Sequence, residues 1–104
     1  MIRAIIAPSA SDDLGRIVDY FLVEAGVEVA TTFLTAWDRA LTHIETHPDS
    51  GSLRLSEVTQ TKGLRAWPVK GFPHIALYRR IAGQITVLRV LHTARDIPAT
   101  LQEE

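Results

Sequence analysis

The chain has no cysteine, so disulfides, thiolate metal sites and cysteine nucleophiles are excluded on inventory alone. No apolar run comes near the ~20 residues of a membrane span. The opening Met1-Ile2-Arg3-Ala4-Ile5-Ile6-Ala7-Pro8 is too short for the apolar region of a signal peptide. A soluble, cytoplasmic protein is the expectation. A phosphate loop is missing as well: Gly51-Ser52 has no strand before it and no Gly-Lys-Ser/Thr behind it. Ser52, His92 and Asp96 lack the nucleophile elbow of a hydrolase. No helical stretch carries the clustered Arg and Lys of a DNA groove reader.

What is present is a 104-residue chain, 46% hydrophobic, which fits one domain spanning 1–104 with one core. Its net charge is only −1, but the charge is unevenly placed. Residues 1–51 carry three Arg against eight acids, a local −5, whereas residues 52–96 carry eight Arg or Lys against two acids, a local +6. Such polarity suits a partner-binding surface or nucleic-acid contact.

Residues 2–7 are short and β-branched and read as a strand closed by Pro8. Ser9 or Ser11 then offers an N-cap, with Asp12 and Asp13 in the first turn, where the helix dipole favours anions. Leu14, Ile17, Val18, Phe21, Leu22 and Ala25 form one helical stripe, which Gly26 terminates. Residues 27–47 repeat the pattern with Ala30, Phe33, Leu34, Trp37, Ala40, Leu41 and Ile44, ending at His47-Pro48. The link Ala25-Gly26-Val27 is so short that the two helices form an antiparallel hairpin. Trp37 belongs to the core stripe. His43 and His47 have the i, i+4 spacing of a helical metal pair but no third ligand, so no metal and no cofactor is expected.

Residues 48–63 form a polar connection of the length that often carries function. From Leu64 the apolar period becomes two. Leu64–Val69 is a strand that Pro68 assigns to an edge or a bulge, Lys70–Pro73 a turn and His74–Arg80 a second strand. Ile81–Gln84 then turns the chain into the run Gln84–His92, whose apolar character places it at the sheet centre. The fold class is therefore α+β: a short N-terminal strand, a two-helix antiparallel hairpin and a three-stranded antiparallel meander, with the helices on one face of the sheet.

The polar residues of this scaffold offer two chemistries. Cleavage of RNA through its 2′-hydroxyl needs an acid, a base and cations at the phosphate. His92 with Arg65, Arg79 and Arg89 could supply acid and cations, but Glu57 is the sole carboxylate between Gly51 and Arg95. A protein-binding surface is the other possibility, because Arg65, Trp67, Tyr78, Arg79 and Arg89 are the Arg and aromatic mixture of binding hot spots. Arg89 and Arg95 also suit structural ion pairs with Asp96, Glu57 or the acidic helices, since a buried arginine demands a partner.

Four segments together resemble the ParE branch of the RelE/ParE toxin superfamily: Leu64-Arg65-Ala66-Trp67-Pro68-Val69, Phe72-Pro73-His74-Ile75-Ala76-Leu77-Tyr78-Arg79, Ile85 through His92, and Ala94-Arg95-Asp96-Ile97. The helical segments agree, and the likeness runs from Ala7 to Pro98. The resemblance implies the toxin of a type II toxin–antitoxin system, acting by protein binding on DNA gyrase. It also implies neutralisation by a ParD-like antitoxin whose N-terminal half binds DNA, in a hetero-oligomer that reaches DNA only through the antitoxin. The partner-binding set is then Arg65, Trp67, Tyr78, Arg79, Arg89 and Arg95, with no catalytic residue. Two alternatives stay open. One is a RelE-like, ribosome-dependent mRNA endoribonuclease using Arg65, Arg89 and His92, although the lysine-rich loop and C-terminal tyrosine of that branch have no counterpart here. The other is a non-toxic antitoxin-binding remnant.

Overall fold

A computed structural model describes residues 3–94. The elements run β1 (Ile5–Ile6), α1 (Pro8–Glu24), α2 (Val27–Thr46), α3 (Arg54–Thr59), β2 (Arg65–Val69), β3 (His74–Ile81) and β4 (Gln84–His92). The four strands form one sheet in the order β1-β4-β3-β2, with β1 parallel to β4 and the other pairs antiparallel. The last strand is thus central, as its apolar run implies, and β2, which carries Pro68, is the edge.

Pro8 opens α1 instead of closing a strand. Its fixed φ suits the first helical position, where no N–H is required. Ala7 is the cap residue and no side chain caps the helix, so Ser9 and Ser11 do not have the expected role. Asp12 and Asp13 consequently fall beyond the first turn, and Asp13 is buried. Gly26 does end α1: it has φ 95°, and the N–H groups of Ala25 and Gly26 both donate to the Phe21 carbonyl at 2.8 Å. In α2 the residues Ala30, Phe33, Trp37, Ala40 and Ile44 are buried at alternating spacings of three and four. Leu22 and Leu34, expected in the stripes, lie at their edges and are exposed.

The sheet has two apolar faces. Ala10, Phe33, Trp37 and Ile44 of the hairpin pack on Val69, Ala76, Tyr78, Ile85, Val87 and Val90. Leu64, Leu77 and Leu91 form a separate cluster that Leu55 of α3 joins. Because Leu77 alternates with Ala76 and Tyr78, this cluster lies on the other face. α3 therefore departs from the expected arrangement of all helices on one face, and gives the 48–63 connection a structured part that its polar sequence does not announce.

Strict alternation fails inside β4. Leu77 pairs with Arg89 and Tyr78 with Val87, leaving Leu88 as an extra, unpaired residue. This β-bulge lets Val87 and Val90, three apart, face the same helical layer. Arg89 reaches α1, donating Nε to Asp13 Oδ2 at 2.7 Å and Nη2 to Oδ1 at 2.9 Å, while the Val90 N–H donates to Oδ2 at 2.9 Å. The acidic partner expected for Arg89 thus comes from the helices. Burial alone would raise the Asp13 carboxyl, but the hydrogen bonds from Arg89 and Val90 outweigh it and hold the group below its ordinary value.

Removing one member of a buried, hydrogen-bonded ion pair leaves the other charge uncompensated. Asp13→Ala is expected to cost about 3–5 kcal/mol in denaturant unfolding. The double replacement Asp13→Leu with Arg89→Met is expected to recover most of that loss, and a double variant as unstable as the single one would refute a charge-based origin.

Candidate functional site

The sequence-selected residues occupy different parts of the sheet. Arg65 and Tyr78 pair across β2 and β3 on the helical side, where both hold the connection after α2. The Tyr78 hydroxyl donates to the Pro48 carbonyl at 3.0 Å and accepts the Gly51 N–H at 3.1 Å, and Arg65 Nη1 donates to the Gly51 carbonyl at 2.8 Å. A side chain at Gly51 would collide with the Tyr78 ring and the Arg65 Cβ, 2.9 and 3.0 Å from its Cβ position, so glycine is required there by space. Arg79 lies on the opposite face, in register with Thr86. Its Nε is buried with no hydrogen-bond partner among the described residues. Arg89 is held by Asp13, and Arg95 and Asp96 lie outside the described residues.

His92 and Arg65 stand at opposite ends of the sheet. Arg65 is level with Tyr78 and Val87, whereas His92 is level with His74 and Val69. Their backbones are therefore separated by roughly 13 Å along the strands and roughly 10 Å across two strand spacings. With Arg65 turned to Gly51 and Arg89 to Asp13, the three groups do not converge on one phosphate.

Two concave regions flank the β2–β3 turn instead. The first, about 460 Å³, runs between α2 and β2. Arg39, His43 and Lys70 line it with Trp67, and no carboxylate does. Trp67 stacks on His43 with ring centroids 3.8 Å apart and 11° between planes, and His43 Nε2 is 2.8 Å from Ser50 Oγ. His47 also stacks on His43, at 5.1 Å and 27°. Two stacked rings do not point their nitrogens at a common metal, and no cluster of three His, Cys, Asp or Glu occurs among the described residues. The signal for this groove was present in the helical spacing. Thr32, Thr35, Arg39 and His43 follow one another by three and four residues beside the apolar stripe.

The second region, about 560 Å³, lies between α1 and the ends of β3 and β4. Its walls include Ile17, Tyr20, Phe21 and Val90, with Arg16, His74 and His92 as polar lining. His74 is 7% exposed, packs against the Phe21 and Phe33 rings, and meets His92 edge-on at 5.3 Å. Burial first, and then the proximity of His92, push the His74 pKa below 6.5. His74 read as an ordinary strand residue in the sequence, because nothing local marks a histidine that faces a helix layer.

A family model described as the ParE toxin of the type II toxin–antitoxin system, parDE, matches residues 4–97. Among solved structures the chain is similar to one described as a chromosomal ParDE TA system from P. aeruginosa, with a TM-score of 0.73 and 24% identity over 88% of this chain and 96% of that one. At that identity the likeness is one of fold. No curated protein matches.

A histidine whose folded pKa is depressed binds fewer protons in the native state than in the unfolded chain. Its contribution to stability is complete above pH 6.5 and is lost progressively as pH falls toward the lowered value. The thermal stability of the wild type is therefore expected to fall from pH 7 to below 6, before the Asp13 carboxyl begins to protonate. His74→Phe is expected to flatten that part of the profile, and an unchanged slope would assign the pH dependence to another group.

Proposed function

The chain belongs to the ParE toxin family of type II toxin–antitoxin systems, and from that premise we propose that it acts by binding a protein target, DNA gyrase, and is neutralised by a cognate antitoxin seated in the groove between α2 and β2. The observation that carries the antitoxin half is the composition of that groove. Arg39, His43 and Lys70 line it together with Trp67, whose ring stacks on His43, and no carboxylate is among the lining residues. A short acidic, partly apolar segment fits such a surface, with its carboxylates on the cations and an apolar residue on the indole. The antitoxin supplies the DNA-binding half of the complex, and the toxin reaches DNA only through it.

Protein binding is favoured over RNA cleavage by the spacing of the polar groups. Arg65 and His92 lie at opposite ends of the sheet, and Arg65 and Arg89 already hold partners inside the fold. General acid–base work on a phosphodiester needs its groups within hydrogen-bond reach of one reacting centre. Of the six residues selected from sequence, Trp67 is retained as a partner contact, with Arg79 as a second contact on the opposite face, while Arg65, Tyr78 and Arg89 support the scaffold.

Expression without an antitoxin separates the readings. Filamentation with DNA damage, while protein synthesis continues, is the expected outcome. A prompt arrest of translation with cleaved mRNA would establish the ribonuclease instead, and unaffected growth would indicate a remnant retained for antitoxin binding. For the groove, Arg39→Glu combined with Lys70→Glu is expected to raise the antitoxin Kd by about a hundredfold, the sum of two lost charge contacts of about 1.4 kcal/mol each. Unchanged affinity by titration calorimetry would move the antitoxin to another face.

A further inference from the structure

One side chain separates the two concave regions. Phe72, in the turn between β2 and β3, lines both, and its ring is fixed 5.1 Å from Phe33 and 5.4 Å from Phe21. A segment lying on Trp67 and Lys70 therefore needs only to cross Phe72 to enter the cavity beside α1. That cavity is lined mainly by apolar side chains, Ile17, Tyr20, Phe21 and Val90.

Its polar groups are arranged for an anion at the rim. Asp13, the sole carboxylate among the lining residues, is already engaged by Arg89 and by the Val90 N–H. Arg16 gives one nitrogen to Asp13 at 3.0 Å, and its side chain is 68% exposed. His92 accepts the Ala94 N–H on Nδ1 at 3.0 Å, so the neutral ring carries its proton on Nε2 and is a donor there. His74 has a buried Nδ1 with no hydrogen-bond partner among the described residues. A buried polar atom in that state calls for a partner, which a water or a ligand atom can supply.

Resting on the antitoxin reading above, we infer that the acidic segment continues over Phe72 into this second cavity, where it buries one apolar side chain between Tyr20 and Val90 and sets a carboxylate against Arg16 and His92. Charge complementarity selects this occupant. The rim offers Arg16 and His92, and the one carboxylate among the lining residues is already neutralised by Arg89. The first groove supplies the electrostatic contacts and the second supplies the apolar anchor, so the two halves of one ligand are read by different chemistry.

The test is the affinity of the purified chain for the purified antitoxin of its operon. Tyr20→Glu and His92→Glu sit at the rim of the second cavity, and Lys70→Glu lies in the first groove. Each is expected to raise the Kd at least tenfold with an unchanged thermal midpoint, whereas Tyr20→Phe and His92→Gln, which keep the ring and a donor, are expected to stay near wild type. Weakening by Lys70→Glu alone would overturn the continuous path and leave the first groove intact as the binding site. Wild-type chain that fails to bind antitoxin at all would sink both this inference and the reading beneath it. Self-association of the wild type in sedimentation, abolished by Tyr20→Glu, would also overturn it by giving the cavity to a second copy.

Discussion

The contact on which the architecture turns is the Asp13 carboxylate against β4. β1 covers β4 only at Thr86 and Val87, and a central strand with an unpaired flank would present bare N–H groups to a helix. Asp13 answers this by accepting the Val90 N–H while receiving two nitrogens of Arg89. A side chain thus does what a longer β1 would otherwise do. A buried ion pair of this kind contributes uncertain net stability compared with an apolar pair, but it does select one rotation and one height for α1 over the sheet. Arg16 and Tyr20 lie one and two turns further along the same helix face, so that selection also places them at the rim of the cavity facing His74 and His92.

The parts of the fold legible in sequence are those carried by periodicity. The stripe of α2, the glycine stop after α1, the edge position of β2 and the central position of β4 all follow from apolar spacing and from Gly and Pro. The parts that escaped are those in which a residue acts on something distant. Asp13 looked like a dipole-complementing acid near a helix start, because its partner is 76 residues away. The extra residue at Leu88 has no local signature, since Leu88-Arg89-Val90 is as consistent with a regular strand as with a bulge, and only the pairing with β3 reveals it. Pro8 was ambiguous in principle, as proline both ends strands and begins helices. α3 has six residues, too few for an apolar period to show. Among the site residues, Trp67 was identifiable by type, but Arg39 and Lys70 were not connected to it until α2 and the β2–β3 turn were brought together.

The uneven charge of the sequence becomes a division of surfaces. The exposed sides of α1 and α2 carry Asp12, Asp19, Glu24, Glu28 and Asp38. The cationic residues of the second half are partly committed inside the fold, at Arg65 and Arg89, and partly exposed, at Arg54, Lys62 and Lys70. Net charge near zero therefore conceals a molecule able to attract an acidic segment at one margin while repelling it from those outward helix sides. This favours a single orientation of approach.

The position of β4 has a consequence for how the molecule comes into being. The strand made last is the one on which β1, β3 and α1 all converge, with Ile5 paired to Thr86 and Asp13 to Arg89. Chains are synthesised at about 5–20 residues per second. The helical hairpin consequently waits several seconds with its apolar face uncovered while the strands that will cover it are still being made. Order of synthesis and order of assembly run opposite to each other, and a nascent chain lacking residues 84–92 has no sheet centre to fold upon. A domain built this way acquires its shape only once β4 has been made, and closing its long-range pairings is the step that completes it.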